Sequence, residues 1–172
     1  MKKAIVIGNC GAGKSYFSKK LAEKTGLPLV HLDVLNWREN WKSVSKDEFD
    51  RLLEAELEKE EWIIDGNYTR TIEHRMEKCD TVFWFDFSTL RSFLGVTERL
   101  IKREKRDDIG GNNAERFDIG FYRFVLTYNR KYRKNTLDII ARHPDVDVIV
   151  FKNRRQAEKY LDGIGNDPKE RI

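Results

Sequence analysis

The chain has 172 residues, enough for one hydrophobic core, and we predict that residues 1–172 form one domain. Apolar residues make up 40% of the chain and charged residues 36%, which excludes an intrinsically disordered protein. Its apolar runs are far shorter than the roughly 20 residues that a membrane span needs, and we expect a cytoplasmic protein without a membrane partner. The net charge of +4 suits a protein that binds phosphates, on a small molecule or on a nucleic acid.

Strand-like and helix-like segments alternate along the chain, which predicts an α/β fold with a parallel sheet. The predicted strands are short apolar runs at 3–8, 27–32, 62–65, 80–86 and 146–151. The predicted helices span 14–24, a segment that starts after Ser45, 71–78, 88–105, 117–142 and 154–162. Between the predicted helices at 88–105 and 117–142 lies a segment rich in Gly and Asn, and we expect a mobile lid at about 106–116.

The first strand leads into a motif that matches G-x-x-x-x-G-K-[ST] in full. Its glycines allow a tight turn that brings backbone N–H groups against phosphate oxygens, and the helix that follows offers its positive end to the same anion. A strand before the motif and an amphipathic helix after it are the context that a phosphate-binding loop requires. The residues predicted to bind the nucleotide are Gly8, Asn9, Cys10, Gly11, Ala12, Gly13, Lys14 and Ser15.

Two side chains of this motif have predicted chemical roles. Lys14 is expected to neutralise charge on the β and γ phosphates of ATP and is a predicted catalytic residue. The Ser15 hydroxyl is expected to bind Mg²⁺. The predicted cofactors are therefore ATP and Mg²⁺.

A second anchor for magnesium is normally an acid at the end of a neighbouring strand, and three aspartates have that position: Asp33, Asp65 and Asp86. Because ligands of open α/β sheets bind at the carboxyl ends of the strands, Asp33 is also a candidate to bind an acceptor hydroxyl or to take its proton. Trp37 and Trp41 follow four residues apart and are candidates to wall the same pocket. We predict that about 33–60 forms the acceptor-binding segment.

Arginines precede and follow the predicted lid. Arg99 and Arg103 are four apart on one helix, so they share a face and are candidates to stabilise the transferring phosphoryl group. Arg116, Arg123 and Arg130 are candidates from the far side of the lid. A solvated charged helix face is the alternative for each of them.

These motifs together resemble the adenylate-kinase-like branch of P-loop kinases over nearly the whole chain. Ile63–Tyr68 is similar to the strand-end Asp-Gly motif of that branch, which implies that Asp65 holds a magnesium-bound water. Asn153 and Arg154 fall where that family contacts adenine. The resemblance also implies a three-layer α/β/α fold, a five-stranded parallel sheet of order 2-3-1-4-5, and a short lid.

A narrower resemblance is to bacterial DNA topology modulation proteins. It is carried by His31–Asp33 with the two tryptophans, and by the Asp-Gly-Asn-Tyr core that ends at Tyr68. This resemblance implies an ATP-binding, kinase-like protein with an unsettled substrate, and Val34–Val44 lacks the AMP-binding pattern of adenylate kinases.

Two functional hypotheses follow. In the first, the chain is a Mg²⁺-dependent small-molecule phosphotransferase or NTPase, with the acceptor near Asp33, Trp37, Tyr68, Arg123 and Arg130. In the second, it is an ATP-dependent regulator that affects DNA topology, supported by the basic run Arg130–Lys134 around one tyrosine.

Overall fold

The computed structural model describes residues 1–102, 108–113 and 117–164. In chain order, the strands are β1 (Lys3–Gly8), β2 (Leu29–His31), β3 (Trp37–Arg38), β4 (Lys42–Ser43), β5 (Trp62–Asp65), β6 (Thr81–Phe85) and β7 (Asp147–Phe151). The α-helices are α1 (Lys14–Thr25), α2 (Leu32–Asn36), α3 (Lys46–Leu57), α4 (Ile72–Lys78), α5 (Thr89–Lys102), α6 (Ile119–Arg142) and α7 (Arg154–Gly163).

Within the described residues, five strands form one parallel sheet in the order β2-β5-β1-β6-β7. Counted among these five strands alone, the order is 2-3-1-4-5, so the α/β fold class and the strand order expected from the sequence are confirmed. The strands β3 and β4 form a separate antiparallel hairpin, with Trp37 opposite Ser43. Because β1 is central, the loop that follows it lies at the middle of the sheet edge.

Alternation along the strands gives the sheet two apolar faces. On one face, Ile5 and Ile7 pack with residues of α3, α4 and the end of α6. On the other face, Ala4 and Val6 pack with residues of α1 and α7. The sheet therefore separates two layers of helices, as the buried strands at its centre, β1, β5 and β6, require.

Most element boundaries follow local signals in the sequence. The Ser45 side chain accepts a hydrogen bond from the Glu48 backbone N–H and starts α3 as the capping-box pattern predicts. Gly26 ends α1 in a left-handed conformation. Helix α6 begins at Ile119 instead of at the predicted Phe117, because the Asp118 side chain caps it by accepting from the Phe121 N–H.

The structure also contains elements that the sequence patterns do not predict. Helix α2 and the β3–β4 hairpin lie inside the segment that was expected to bind the acceptor. They are too short for a hydrophobic period to be seen in the sequence. In the described part of the chain, none of the helices has both the length and the apolar composition required to cross a membrane.

Candidate functional site

A cavity of about 1000 Å³ lies at the carboxyl ends of the central strands. One end of it is lined by the loop after β1, from Cys10 to Ser15. The other end is lined by α2, by the start of the hairpin, and by the segment from Asp65 to Thr69. Helices α5, α6 and α7 complete the walls, together with Asp108 and Ile109. We call these two parts the phosphate end and the acceptor end, after the ligands predicted for them.

The phosphate loop has the backbone that its glycines were expected to allow. Gly11 and Gly13 have φ angles of 77° and 92°, in the left-handed region that favours glycine. Helix α1 begins directly afterwards at Lys14, whose Nζ donates to the backbone carbonyl of Asn9 at 3.0 Å. The loop thus presents a helix N-terminus, an ammonium group and the Ser15 side chain to the cavity.

Gly8 and Asn9, also predicted to bind the nucleotide, do not line the cavity. The Gly8 N–H donates to the Asn67 side chain at 3.0 Å. The buried Asn9 side chain donates to the Val125 carbonyl and accepts from the Cys10 N–H. These two residues stabilise the loop on the side away from the cavity, because their polar groups are directed into the protein.

Asp65 is the last residue of β5 and lines the cavity, although its side chain is only 5% exposed. One carboxylate oxygen, Oδ2, lies 2.9 Å from Nδ1 of His31. The other, Oδ1, is buried and has no hydrogen-bond partner within the described residues. A buried acceptor without a partner is costly, so this atom fits a water molecule held by a cation.

Asp33 lies in α2, where it accepts a hydrogen bond from the Tyr68 hydroxyl at 2.8 Å. The Tyr68 ring stacks on Phe49 at 4.7 Å between ring centroids. Burial, and then the neighbouring Asp33 carboxylate, raise the pKa of Tyr68 well above its ordinary value. Tyr68 is therefore a protonated donor that orients the Asp33 carboxylate at the acceptor end.

Asp86, the third candidate acid, is not in the cavity lining. Its carboxylate accepts two hydrogen bonds from Arg133 at 2.9 Å and another from Lys152. Burial of this carboxylate favours the protonated form, but the hydrogen bonds from Arg133 and Lys152 hold the pKa of Asp86 below its ordinary value. The structure thus brings Asp33 and Asp65 to the cavity and places Asp86 in a surface ion-pair network.

Some of the predicted arginines line the cavity and others do not. Arg99 and Arg154 line the cavity, and Arg154 Nη2 lies 3.4 Å from the Gly11 carbonyl oxygen. Arg123 and Arg130 are exposed on α6 and do not line it, so the geometry gives no support to their predicted place at the acceptor. The predicted catalytic Arg103 lies outside the described residues.

Asn153, the other residue predicted to contact adenine, also lies outside the cavity lining. Its side chain caps α7 by accepting from the Gln156 N–H at 3.0 Å. This cap places Arg154 at the first position of the helix, next to the phosphate loop. A capping role explains the position of Asn153 without a ligand.

Sequence patterns missed three residues that support the site. Arg75 is fully buried and donates to the Gly66 and Asn67 carbonyls, and burial lowers its pKa to about 10. It thereby holds the loop that carries Tyr68. A Cβ at Gly95 would overlap the carbonyl oxygen of Gly11, so this glycine lets α5 approach the phosphate loop. No periodic signal marks Arg75 or Gly95.

The third missed residue is Asn113, in the segment predicted as part of the lid. Its side chain accepts from the Trp41 N–H at 2.8 Å and donates to the carbonyls of Arg38 and Gly110 at 2.8 and 2.7 Å. A Cβ at Gly110 would overlap the carbonyl oxygen of Trp37. The described part of the predicted lid, residues 108–113, is therefore docked on the acceptor segment.

Three residues of the basic run Arg130–Lys134 make contacts within the protein. Arg133 is bound to Asp86, and Lys134 pairs with Asp138 at 2.7 Å. Tyr132, which would have to stack on a base, is half-buried and packs against Tyr128 at 5.2 Å between centroids. The Tyr132 ring thus packs against another ring of α6.

Solved structures share this architecture. Shikimate kinase from Bacteroides thetaiotaomicron matches with a TM-score of 0.54 and 18% identity over 92% of this chain and 93% of that chain. A protein provisionally described as a kinase, from Chloroflexus aurantiacus, matches with a TM-score of 0.55 and 13% identity over 92% of this chain and 94% of that chain. No protein-family model and no curated protein matches this sequence.

These similarities show that the chain has the α/β fold of P-loop kinases. They do not extend to the narrower family of DNA topology modulation proteins, which stays a prediction from the sequence. At such low identities the likeness concerns the fold alone, and function has to be argued from the site.

Proposed function

We propose that this protein is a Mg²⁺- and ATP-dependent phosphotransferase that phosphorylates the hydroxyl group of a small molecule. The observation that carries the proposal is a cavity that has the phosphate loop at one end and the Asp33–Tyr68 pair at the other. Its volume of about 1000 Å³ is at the upper end of the range for small-molecule sites, which suits two substrates together.

At the phosphate end, backbone N–H groups of the loop and the Lys14 ammonium bind the β and γ phosphates. Ser15 and, through a water molecule, Asp65 Oδ1 would hold the magnesium ion, which neutralises phosphate charge when bound. In the described residues, no group of three His, Cys, Asp or Glu side chains could hold a metal ion by itself. Arg99 and Arg154, which line the same cavity, stabilise charge on the phosphates in this proposal.

At the acceptor end, Asp33 binds the acceptor hydroxyl and takes its proton. The hydroxyl oxygen forms a bond to the γ-phosphorus, and the bond from that phosphorus to the β–γ bridging oxygen breaks. ADP leaves with the bonding electron pair. Tyr68 holds Asp33 in place, so the step depends on positioning and on charge stabilisation.

The alternative of an ATP-dependent regulator of DNA topology has less support from the site. The acceptor end is part of a concave cavity, which suits a small molecule, while Arg133, Lys134 and Tyr132 of the basic run make contacts within the protein. The electrostatic attraction that the net charge of +4 gives to nucleic acids is unspecific.

A screen of acceptors with ATP labelled on the γ phosphate, in the presence of magnesium, tests the proposal. We expect label to be transferred to a small alcohol, and we expect Asp33→Asn to reduce that transfer. Asp145→Asn, the same change at an exposed aspartate outside the cavity, is the matched control. Release of ADP that no acceptor stimulates would show an NTPase and contradict the proposed transfer.

A further inference from the structure

Asp65, the proposed anchor of the magnesium-bound water, lies opposite His31 in the sheet. The parallel pairing of β2 with β5 makes these two residues register partners, and Val6 of β1 is the partner of Asp65 on its other side. Register partners on neighbouring strands direct their side chains to the same face of a sheet. Val6 belongs to the apolar cluster that packs against α1 and α7, so His31 and Asp65 lie on the face that α1 covers.

Helix α1 begins at Lys14, directly after the phosphate loop, and Ser15 is its second residue. Asp65 and Ser15 therefore lie on the same side of the sheet, and both line the cavity. His31 is next to Asp65 but does not line the cavity. Any role of His31 at the site has to be exerted through Asp65.

The contact between His31 and Asp65 is buried and directional. Their side chains are 11% and 5% exposed, and Nδ1 of His31 lies 2.9 Å from Oδ2 of Asp65. Because an ionised carboxylate only accepts hydrogen bonds, Nδ1 carries the proton that it donates. The contact uses one carboxylate oxygen and leaves Oδ1, which is buried and has no hydrogen-bond partner in the described residues.

The buried guanidinium group of Arg75, whose charge also acts on Asp65, does not replace this contact. All three of its nitrogens donate to backbone carbonyls of the segment Gly66–Thr71. In the described part of the chain, the Asp65 carboxylate thus receives its side-chain hydrogen bond from His31. A carboxylate that is held by one oxygen presents the other oxygen in a fixed direction, which is how outer groups orient metal ligands.

We propose that His31 is a positioning residue for magnesium, which holds Asp65 by Oδ2 so that Oδ1 is directed to the water molecule carried by the ion. This inference rests on the proposed function, whose metal site includes Asp65. Residues that orient a metal-binding group in this way typically contribute about 10- to 100-fold to metal affinity. Loss of His31 should therefore weaken the binding of metal to the nucleotide complex.

The test measures metal binding without turnover. The full chain is mixed with a smaller amount of a non-hydrolysable ATP analogue, so that nearly all of the nucleotide is bound. Mn²⁺, which stands in for Mg²⁺, is then titrated while the free ion is followed by electron paramagnetic resonance. His31→Leu removes the donor at a similar side-chain volume, and we expect the dissociation constant of Mn²⁺ to rise by about tenfold.

The matched control is His74→Leu, the same change at an exposed histidine outside the cavity, which should leave the dissociation constant unchanged. An Mn²⁺ affinity that is the same in His31→Leu as in the wild type would overturn the inference.

Two further substitutions separate positioning from a general loss of structure. Asn carries its amide nitrogen near the place of Nδ1 in His, whereas Gln carries it one carbon further from the backbone. We therefore expect His31→Asn to keep the Mn²⁺ affinity within about threefold of the wild type, and His31→Gln to weaken it by about tenfold. This comparison decides the matter even where His31→Leu does not fold. Equal affinities in the Asn and Gln variants would contradict the assignment to Nδ1.

A double-mutant cycle tests whether His31 acts through Asp65. Asp65→Asn should itself weaken Mn²⁺ binding, and the addition of His31→Leu should then change the affinity by less than about twofold, because the two residues act as one unit. Losses that multiply would show that His31 affects the metal by another route, and they would refute the inference.

The outcomes separate this inference from the proposed function. An Mn²⁺ affinity that depends on His31 as expected, in a protein that transfers label to no acceptor, would support the positioning role and contradict the phosphotransferase function. Label transfer together with an Mn²⁺ affinity indifferent to His31 would do the reverse. A wild-type protein that binds no complex of Mn²⁺ with the nucleotide would refute both.

Discussion

At the phosphate end of the cavity, the loop itself consists of six consecutive residues from Cys10 to Ser15, whereas the acceptor end is assembled from segments far apart in the chain. The Asp33–Tyr68 hydrogen bond joins residues 35 positions apart, and Asn113 reaches Trp41 across 72 positions. A contiguous loop depends mainly on local backbone preferences. An assembled pocket depends on every contact that brings its segments together, so the two ends should respond differently to substitution.

The largest expected effect is at the phosphate end. Lys14→Ala removes the ammonium group that faces the β and γ phosphates, and we expect undetectable phosphoryl transfer and an ATP affinity lower by about 100-fold. Calorimetric titration with ATP and magnesium measures the affinity, and circular dichroism checks that the fold is kept. Lys131→Ala, at an exposed lysine outside the cavity, is the control. An unchanged ATP affinity in Lys14→Ala would count heavily against the nucleotide site.

The second effect should separate the two ends. Asp33→Asn removes the proposed proton acceptor but keeps the side-chain shape, and we expect phosphoryl transfer to fall by about 100-fold with little change in ATP affinity. Steady-state kinetics and ATP titration of the same preparation measure both quantities. If transfer and ATP affinity fell together, Asp33 would belong to the metal site and the division between the ends would be wrong.

A smaller effect is expected where the predicted lid meets the acceptor segment. Asn113→Ala removes three hydrogen bonds from a buried position, and we expect the acceptor KM to rise by about tenfold while the ATP affinity is kept. Asn135→Ala, at an exposed asparagine of α6, is the control. A loss of ATP affinity equal to the rise in KM would show that residues 108–113 serve both ends.

The smallest effect concerns the contact between α3, which carries Glu54, and α4, which carries His74. The hydrogen bond to Glu54 raises the pKa of His74 above its ordinary value of 6.5, against a smaller opposing effect of burial. The pKa of His74 is higher in the folded protein than in the unfolded chain. The pair therefore contributes its full stabilisation at pH values below the unfolded-state pKa, and this stabilisation is lost as the pH rises through the folded-state pKa. Melting temperatures of wild type and His74→Gln should therefore differ more at about pH 5.5 than at about pH 8.5. A difference independent of pH would refute the pairing.

Local patterns were sufficient for the five strands of the sheet and for the phosphate loop, whereas the strand order was expected only from the resemblance to a family. The strands, the capped start of α3 and the strand order of the resembled family all agree with the structure. The strand-end position of Asp86 is a case where the pattern was uninformative, because the same position suits a site and an ion pair. The Asp86 carboxylate is held in an ion pair by Arg133 and Lys152, which are 47 and 66 residues away in the sequence.

The sequence by itself determined the phosphate loop, because glycine conformations, one lysine and a helix start are encoded in eight consecutive residues. Tertiary structure alone decided which acids and arginines reach the cavity, how Asn113 joins residues 108–113 to Trp41, and that Arg75 holds the loop of Tyr68 from within the core. The physical reason is that burial and long-range hydrogen bonds depend on which chain segments meet, and short-range periodicity does not contain that information.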